Sequence, residues 1–163
     1  MYINGIDDVG QFFYISLIEL GLMIRLHFPV KFKKVMKLKS YPKKIGLGEY
    51  NGDHGINGEF NGCKFNGILL DYTRGNRLYF DGISFFIECE DIGAIIETAK
   101  TIQKTLAEKG LKFSISHYEL TLDIPVNLPF DVIIRNGSCK YEIMHLGITV
   151  ECEKLEDILV VKN

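Results

Sequence analysis

The stretch Leu22-Met-Ile-Arg-Leu-His-Phe-Pro-Val-Lys-Phe-Lys-Lys-Val-Met-Lys-Leu-Lys39 (LMIRLHFPVKFKKVMKLK) repeats with a period of two. Leu22, Ile24, Leu26, Phe28, Val30, Phe32, Met36 and Leu38 hold one parity. Arg25, His27, Lys31, Lys33, Lys37 and Lys39 hold the other, and only Lys34 breaks the apolar set. Successive side chains of a strand point to opposite faces. The stretch therefore predicts one long strand, bent or divided at Pro29, with a greasy face and a basic face. Proline gives no N–H to a ladder, so Pro29 points to an edge strand or a bulge. A helix starting at Pro29 and using Phe32, Val35 and Met36 fits fewer residues.

The basic face stands out against the rest of the chain. Residues 25–44 hold eight of the 19 lysines and arginines and no acid, although the whole chain carries a net charge of −2. That asymmetry makes Arg25, Lys31, Lys33, Lys37 and Lys39 the first candidates for an interaction surface. Lysines and a proline are also what natural sheets place on edge strands to prevent aggregation, which supplies a purely structural alternative.

On either side of this strand the pattern changes. Val9, Phe12, Phe13, Ser16, Leu17 and Leu20 recur at helical spacing behind Asp7 and Asp8, which predicts a helix over about 7–20. Downstream, Ile92, Ile95, Ile96, Ala99, Ile102 and Leu106 predict a second helix over 92–109, with Asp91 as its cap and Gly110 as its stop. The intervening and following segments alternate as strands, with hairpin signals at Arg74-Gly75-Asn76 and Asn136-Gly137. Inward parity flips near Ser116–His117, which predicts a kink there. The order helix, strands, helix, strands is α+β, a largely antiparallel twisted sheet in a single domain over 1–163. The segments Gly82–Glu90 and Gly147–Glu153 echo one another (Ile-Glu-Cys-Glu, Val-Glu-Cys-Glu) and read as two similar strands.

Residues 51–67 (NGDHGINGEFNGCKFNG) contain four Asn-Gly pairs. An EF-hand loop fails because Gly55 stands where an oxygen ligand belongs, and Gly46-Leu-Gly48 lacks the Lys-Ser/Thr of a phosphate loop. A repeat array fails because the pairs are unevenly spaced. Tight turns remain, in a flexible Gly/Asn-rich loop over about 45–67, with Tyr50, Asp53 and His54 at its tip as further binding candidates.

Signals for chemistry are sparse. His117, Glu119, Thr121 and Asp123 share one parity, and with His145 they offer an acid–base set for a small hydrolase or nuclease. The same alternation describes the wet face of a half-exposed strand. The four cysteines form no C-x-x-C pair and no zinc spacing, so no metal and no cofactor is expected. Cys89, Cys139 and Cys152 read as small core residues, with Cys89 a weak nucleophile candidate beside a helix start. Asp7 and Asp8 precede the first basic residue, and Gln11, Ser16 and Glu19 interrupt the apolar run, so neither a signal peptide nor a membrane span is expected. These features point to a cytoplasmic, reducing compartment. The function they favour is a small soluble, non-catalytic binding protein of the inhibitor or immunity type, with another protein as partner. The alternatives are a nucleic-acid binder using the basic stripe and the hydrolase above.

Overall fold

The computed structural model describes residues 24–123, 132–144 and 147–159. The helix expected over 7–20 and His145 lie outside them. Ten strands form one sheet: β1 (Ile24–Lys37), β2 (Glu49–Tyr50), β3 (Gly55–Phe60), β4 (Cys63–Arg74), β5 (Arg77–Cys89), β6 (Phe113–Ile115), β7 (Tyr118–Asp123), β8 (Val132–Asn136), β9 (Cys139–Met144) and β10 (Gly147–Cys152). The order is β2-β3-β4-β5-β1-β7-β10-β9-β8, with β6 also on β1, and the pairings are antiparallel. The path has two ends, so the sheet is open. Among the described residues two α-helices accompany it: α1 (Tyr41–Lys44), one turn long, and α2 (Ile92–Glu108).

The period-two stretch folds as one strand, but in the middle of the sheet and not at an edge. Ile24, Leu26, Phe28, Val30 and Phe32 are buried, between β5 on one side and β6 and β7 on the other. Pro29 is tolerated there for a local reason. The Lys33 N–H donates to the Lys112 carbonyl on the β6 side, so Pro29, four residues earlier, faces the same neighbour. At Pro29 that neighbour is interrupted: Val30 pairs with Ile115 and His27 with Glu119, so two β1 residues face three across the gap. The missing donor meets a missing ladder rung, and the extra residue is a bulge.

The basic face is not continuous either. The β1–β5 register shifts between Lys31 and Met36, and Lys33, Lys34 and Val35 are all exposed. The stripe therefore breaks into separate groups. The cause is Lys34 at an apolar position, which the strand accommodates by bulging outward.

The Gly/Asn-rich region is mostly strand, which corrects the flexible loop expected over 45–67. Asn61-Gly62 closes the β3–β4 hairpin with both residues at positive φ (54° and 77°), as a type I′ turn requires. Asn57-Gly58 and Asn66-Gly67 lie inside strands. Gly58 sits opposite Phe65, and a Cβ on it would come 2.3 Å from that ring. Here glycine makes room for an aromatic side chain from the next strand.

α2 covers the apolar face. Ile92, Ile95, Ile96, Ala99, Ile102 and Leu106 are buried against it, each isoleucine contributing roughly 1.5–3 kcal/mol. Asp91 accepts from the Gly93 N–H at its start, and Gly110 follows its end at φ +77°. Thr98, fully buried within the helix, donates to the carbonyls of Ala94 and Phe60 and ties α2 to the β3–β4 turn. The opposite face of the sheet carries the polar parity of β1, β4, β5 and β7.

The cysteines are paired, not free. Cys63–Cys89 joins β4 to β5, and Cys139–Cys152 joins β9 to β10. Cys89 is therefore no thiol nucleophile. Each bridge closes the open end of a hairpin, directly across the ladder.

The echo between residues 82–90 and 147–153 has a topological counterpart. β1 is followed by the meander β3-β4-β5, whose last strand returns to pair with β1. β7 is followed by β8-β9-β10, whose last strand returns to pair with β7. Both units have the Greek-key arrangement. Ile24 opposite Cys89 and Tyr118 opposite Cys152 hold equivalent positions, and Leu26 faces Leu120 at the middle of the joining pair.

Candidate functional site

The β1–β7 register builds a polar cluster on the open face. His27 lies directly opposite Glu119, and the bulge at Ser116–His117 returns His117 to that same face. One ligand atom from each of His27, His117 and Glu119 lies within 4.8 Å of the others, and all three residues are half-buried. The His27 ring stacks on Phe86 of β5 with centroids 4.5 Å apart. Its Nε2 is 2.6 Å from the Ser84 hydroxyl, and His117 Nδ1 is 2.9 Å from the Ser116 hydroxyl. Burial holds the His27 pKa below the usual imidazole value. The Glu119 carboxylate opposes that shift and His117 adds to it. His27 is thus mainly neutral at pH 7, with a lone pair to offer.

His27 and Glu119 of the cluster line a groove of about 1060 Å³ whose walls also include Arg25, Lys64, Asn66 and Glu88. Charges of opposite sign alternate across one of its rows, Arg25 facing Glu88 and Glu88 facing Lys64. Ile68, Leu70 and Phe86 are exposed large apolar side chains of β4 and β5.

A second feature gathers the far end of β1. Lys37, Lys39, Tyr50, Arg77 and Leu78 line a cleft of about 430 Å³, and no carboxylate is among the described lining residues. Lys37 reaches it from β1, Lys39 from the 3-10 turn Leu38–Ser40, Tyr50 from β2, and Arg77 and Leu78 from β5. The α1 segment fixes this corner: the buried Tyr41 hydroxyl donates to the Leu47 carbonyl, and its ring lies 5.7 Å from that of Tyr50.

The residues expected from sequence divide accordingly. Lys37, Lys39 and Tyr50 come together. Arg25 stands in the open-face groove. Lys31 reaches Asp81 at 3.6 Å, and Lys33 is exposed without joining either site. Asp53 is exposed, its N–H donating to the Asn51 side chain, while His54 forms a 2.6 Å contact with Asp71. Of the acid–base set, His117 and Glu119 stand together with His27 beside them, and His145 lies outside the described residues. His27 was visible on the polar parity of β1, but only the strand order places it opposite Glu119. Arg77, at the start of β5 just past the Gly75-Asn76 turn, joins the cleft in the same way.

The chain matches no protein-family model, and no curated protein matches it. Among the described residues no helix is long and apolar enough to cross a membrane.

Proposed function

We propose that the protein is a non-catalytic binding protein of the inhibitor or immunity type, and that it docks an acidic, partly apolar segment of another protein. The observation that carries this reading is the convergence of Lys37, Lys39 and Arg77 around one cleft with Tyr50 and Leu78 exposed beside them. Cations at such a rim steer an acidic partner, and an aromatic and a leucine give it apolar anchorage. A track for a phosphate backbone is less favoured. Lys31 is engaged by Asp81, Arg25 stands in a row with Glu88, and the bulge at 33–35 interrupts the line. The two disulfides support a non-reducing compartment over the cytoplasm.

The test uses fluorescence anisotropy at physiological salt with two probes, a labelled peptide alternating glutamate with leucine and phenylalanine, and a single-stranded RNA. The reading expects the peptide to bind, and the triple variant Lys37→Glu, Lys39→Glu, Arg77→Glu to lose at least about tenfold in affinity with its circular dichroism unchanged. Binding of RNA without peptide transfers the cleft to the nucleic-acid alternative. Binding of neither probe overturns both.

A further inference from the structure

We propose that His27, His117 and Glu119 form a site for a divalent transition metal of the zinc class, held by three protein donors with the remaining position open to water or to a ligand. The inference goes beyond the binding cleft, which lies at the other end of β1.

Four observations converge on it. First, the donors are assembled from two strands by register and bulge, and their ligand atoms already lie within 4.8 Å of one another. Tetrahedral zinc with bonds near 2 Å places neighbouring donor atoms about 3.3 Å apart, a change within reach of small side-chain rotations. Second, each imidazole is anchored through one nitrogen by a serine hydroxyl, His27 Nε2 by Ser84 and His117 Nδ1 by Ser116. That leaves His27 Nδ1 and His117 Nε2 for the ion. Metal-bound histidines characteristically use the second nitrogen in this way, which fixes ring orientation. Third, stacking on Phe86 restrains the His27 ring further. Fourth, Glu119 is flanked in its row by Glu151 directly across on β10. Two carboxylates facing one another repel; Lys140, across from Glu151 on β9, offsets this on one side, and a cation beside Glu119 would offset it on the β1 side.

Donor chemistry selects the metal. Two imidazoles and one carboxylate suit zinc and its neighbours in the first transition row, whereas calcium and magnesium require a shell of oxygens. Three protein ligands with a vacant position is the pattern of an open zinc centre, in contrast to the closed four-ligand shells of structural zinc.

The experiment is calorimetric titration of the untagged, disulfide-intact full chain with zinc chloride, with calcium chloride as the comparison ion. Cobalt is then loaded to read the visible d–d absorption of a low-coordinate centre. The expected result is one zinc per chain, no calcium uptake, and a cobalt spectrum. Glu119→Gln and His117→Ala, both at partly exposed positions, should each weaken zinc at least about tenfold, and Ser84→Ala by a smaller factor through loss of ring orientation. Glu97→Gln on α2 should leave affinity unchanged. Each variant's melting temperature without metal confirms that it folds. Absence of zinc binding, equal binding of calcium, or zinc binding indifferent to Glu119→Gln and His117→Ala in folded protein would overturn the proposal. The charge-reversed cleft variant retains all three donors, so the cleft and the metal site fail separately.

Discussion

At the scale of single residues, the structure assigns tyrosines and glycines to places where one atom matters. Tyr41, Tyr118 and Tyr141 are buried, and burial raises the pKa of each phenol above its usual value of about 10. Above pH 10 the unfolded chain loses these protons while the native chain keeps them. The unfolded state then binds fewer protons, so stability falls as pH rises. Below pH 10 both states are protonated and the contribution is complete. Urea unfolding at about pH 8 and about pH 10.5 should therefore give a lower midpoint at the higher pH, and Tyr141→Phe should reduce the difference. An unchanged midpoint would mean that these hydroxyls are solvated. Gly58→Ala tests the other kind of position. A methyl there meets the Phe65 ring, so the substitution should destabilise by about 1–3 kcal/mol in the same assay. A neutral effect would remove the packing argument for an Asn-Gly pair inside a strand. Sequence alone identified these glycines as turn formers, because the same Asn-Gly signal serves a hairpin at 61–62 and a close approach at 57–58. Only the facing side chain tells them apart.

At the scale of elements, what could be read locally was read. The parity of β1, the caps and face of α2, the turn at Gly75-Asn76 and the kink at Ser116–His117 all depend on neighbours in sequence. The disulfides did not yield, since their partners lie 26 and 13 residues apart and become adjacent only through the β4–β5 and β9–β10 ladders. A signal existed in hindsight. Each bridge joins a cysteine just after a glycine turn (Gly62-Cys63, Gly137-Ser138-Cys139) to the cysteine of a Glu-Cys-Glu strand end. By loop-closure entropy, bridges of these spans restrict the unfolded chain by about 3 to 3.5 kcal/mol each. The paired replacements Cys63→Ser with Cys89→Ser, and Cys139→Ser with Cys152→Ser, should thus each cost roughly 2–4 kcal/mol in chemical denaturation. A cost near zero for either pair would show that its hairpin is held by the ladder alone.

At the scale of the whole molecule, two Greek-key units meet along β1 and β7, and the candidate metal cluster sits beside that seam, with His27 contributed by one lead strand and Glu119 by the other. An edge placement for β1 followed naturally from its lysines and its proline. The other reading of Pro29, a bulge, is the one found: Pro29 meets the gap between β6 and β7, and Lys31 stays paired on both sides with Gly82 and Ser114. Everything assigned to the open face depends on β1 being paired on both sides. Amide hydrogen exchange followed residue by residue measures this directly. Leu26, His27, Phe28 and Val30 should exchange among the slowest amides of the chain, far behind Glu49 and Tyr50 of the terminal strand β2. Exchange of the β1 amides as fast as those of β2 would contradict that pairing.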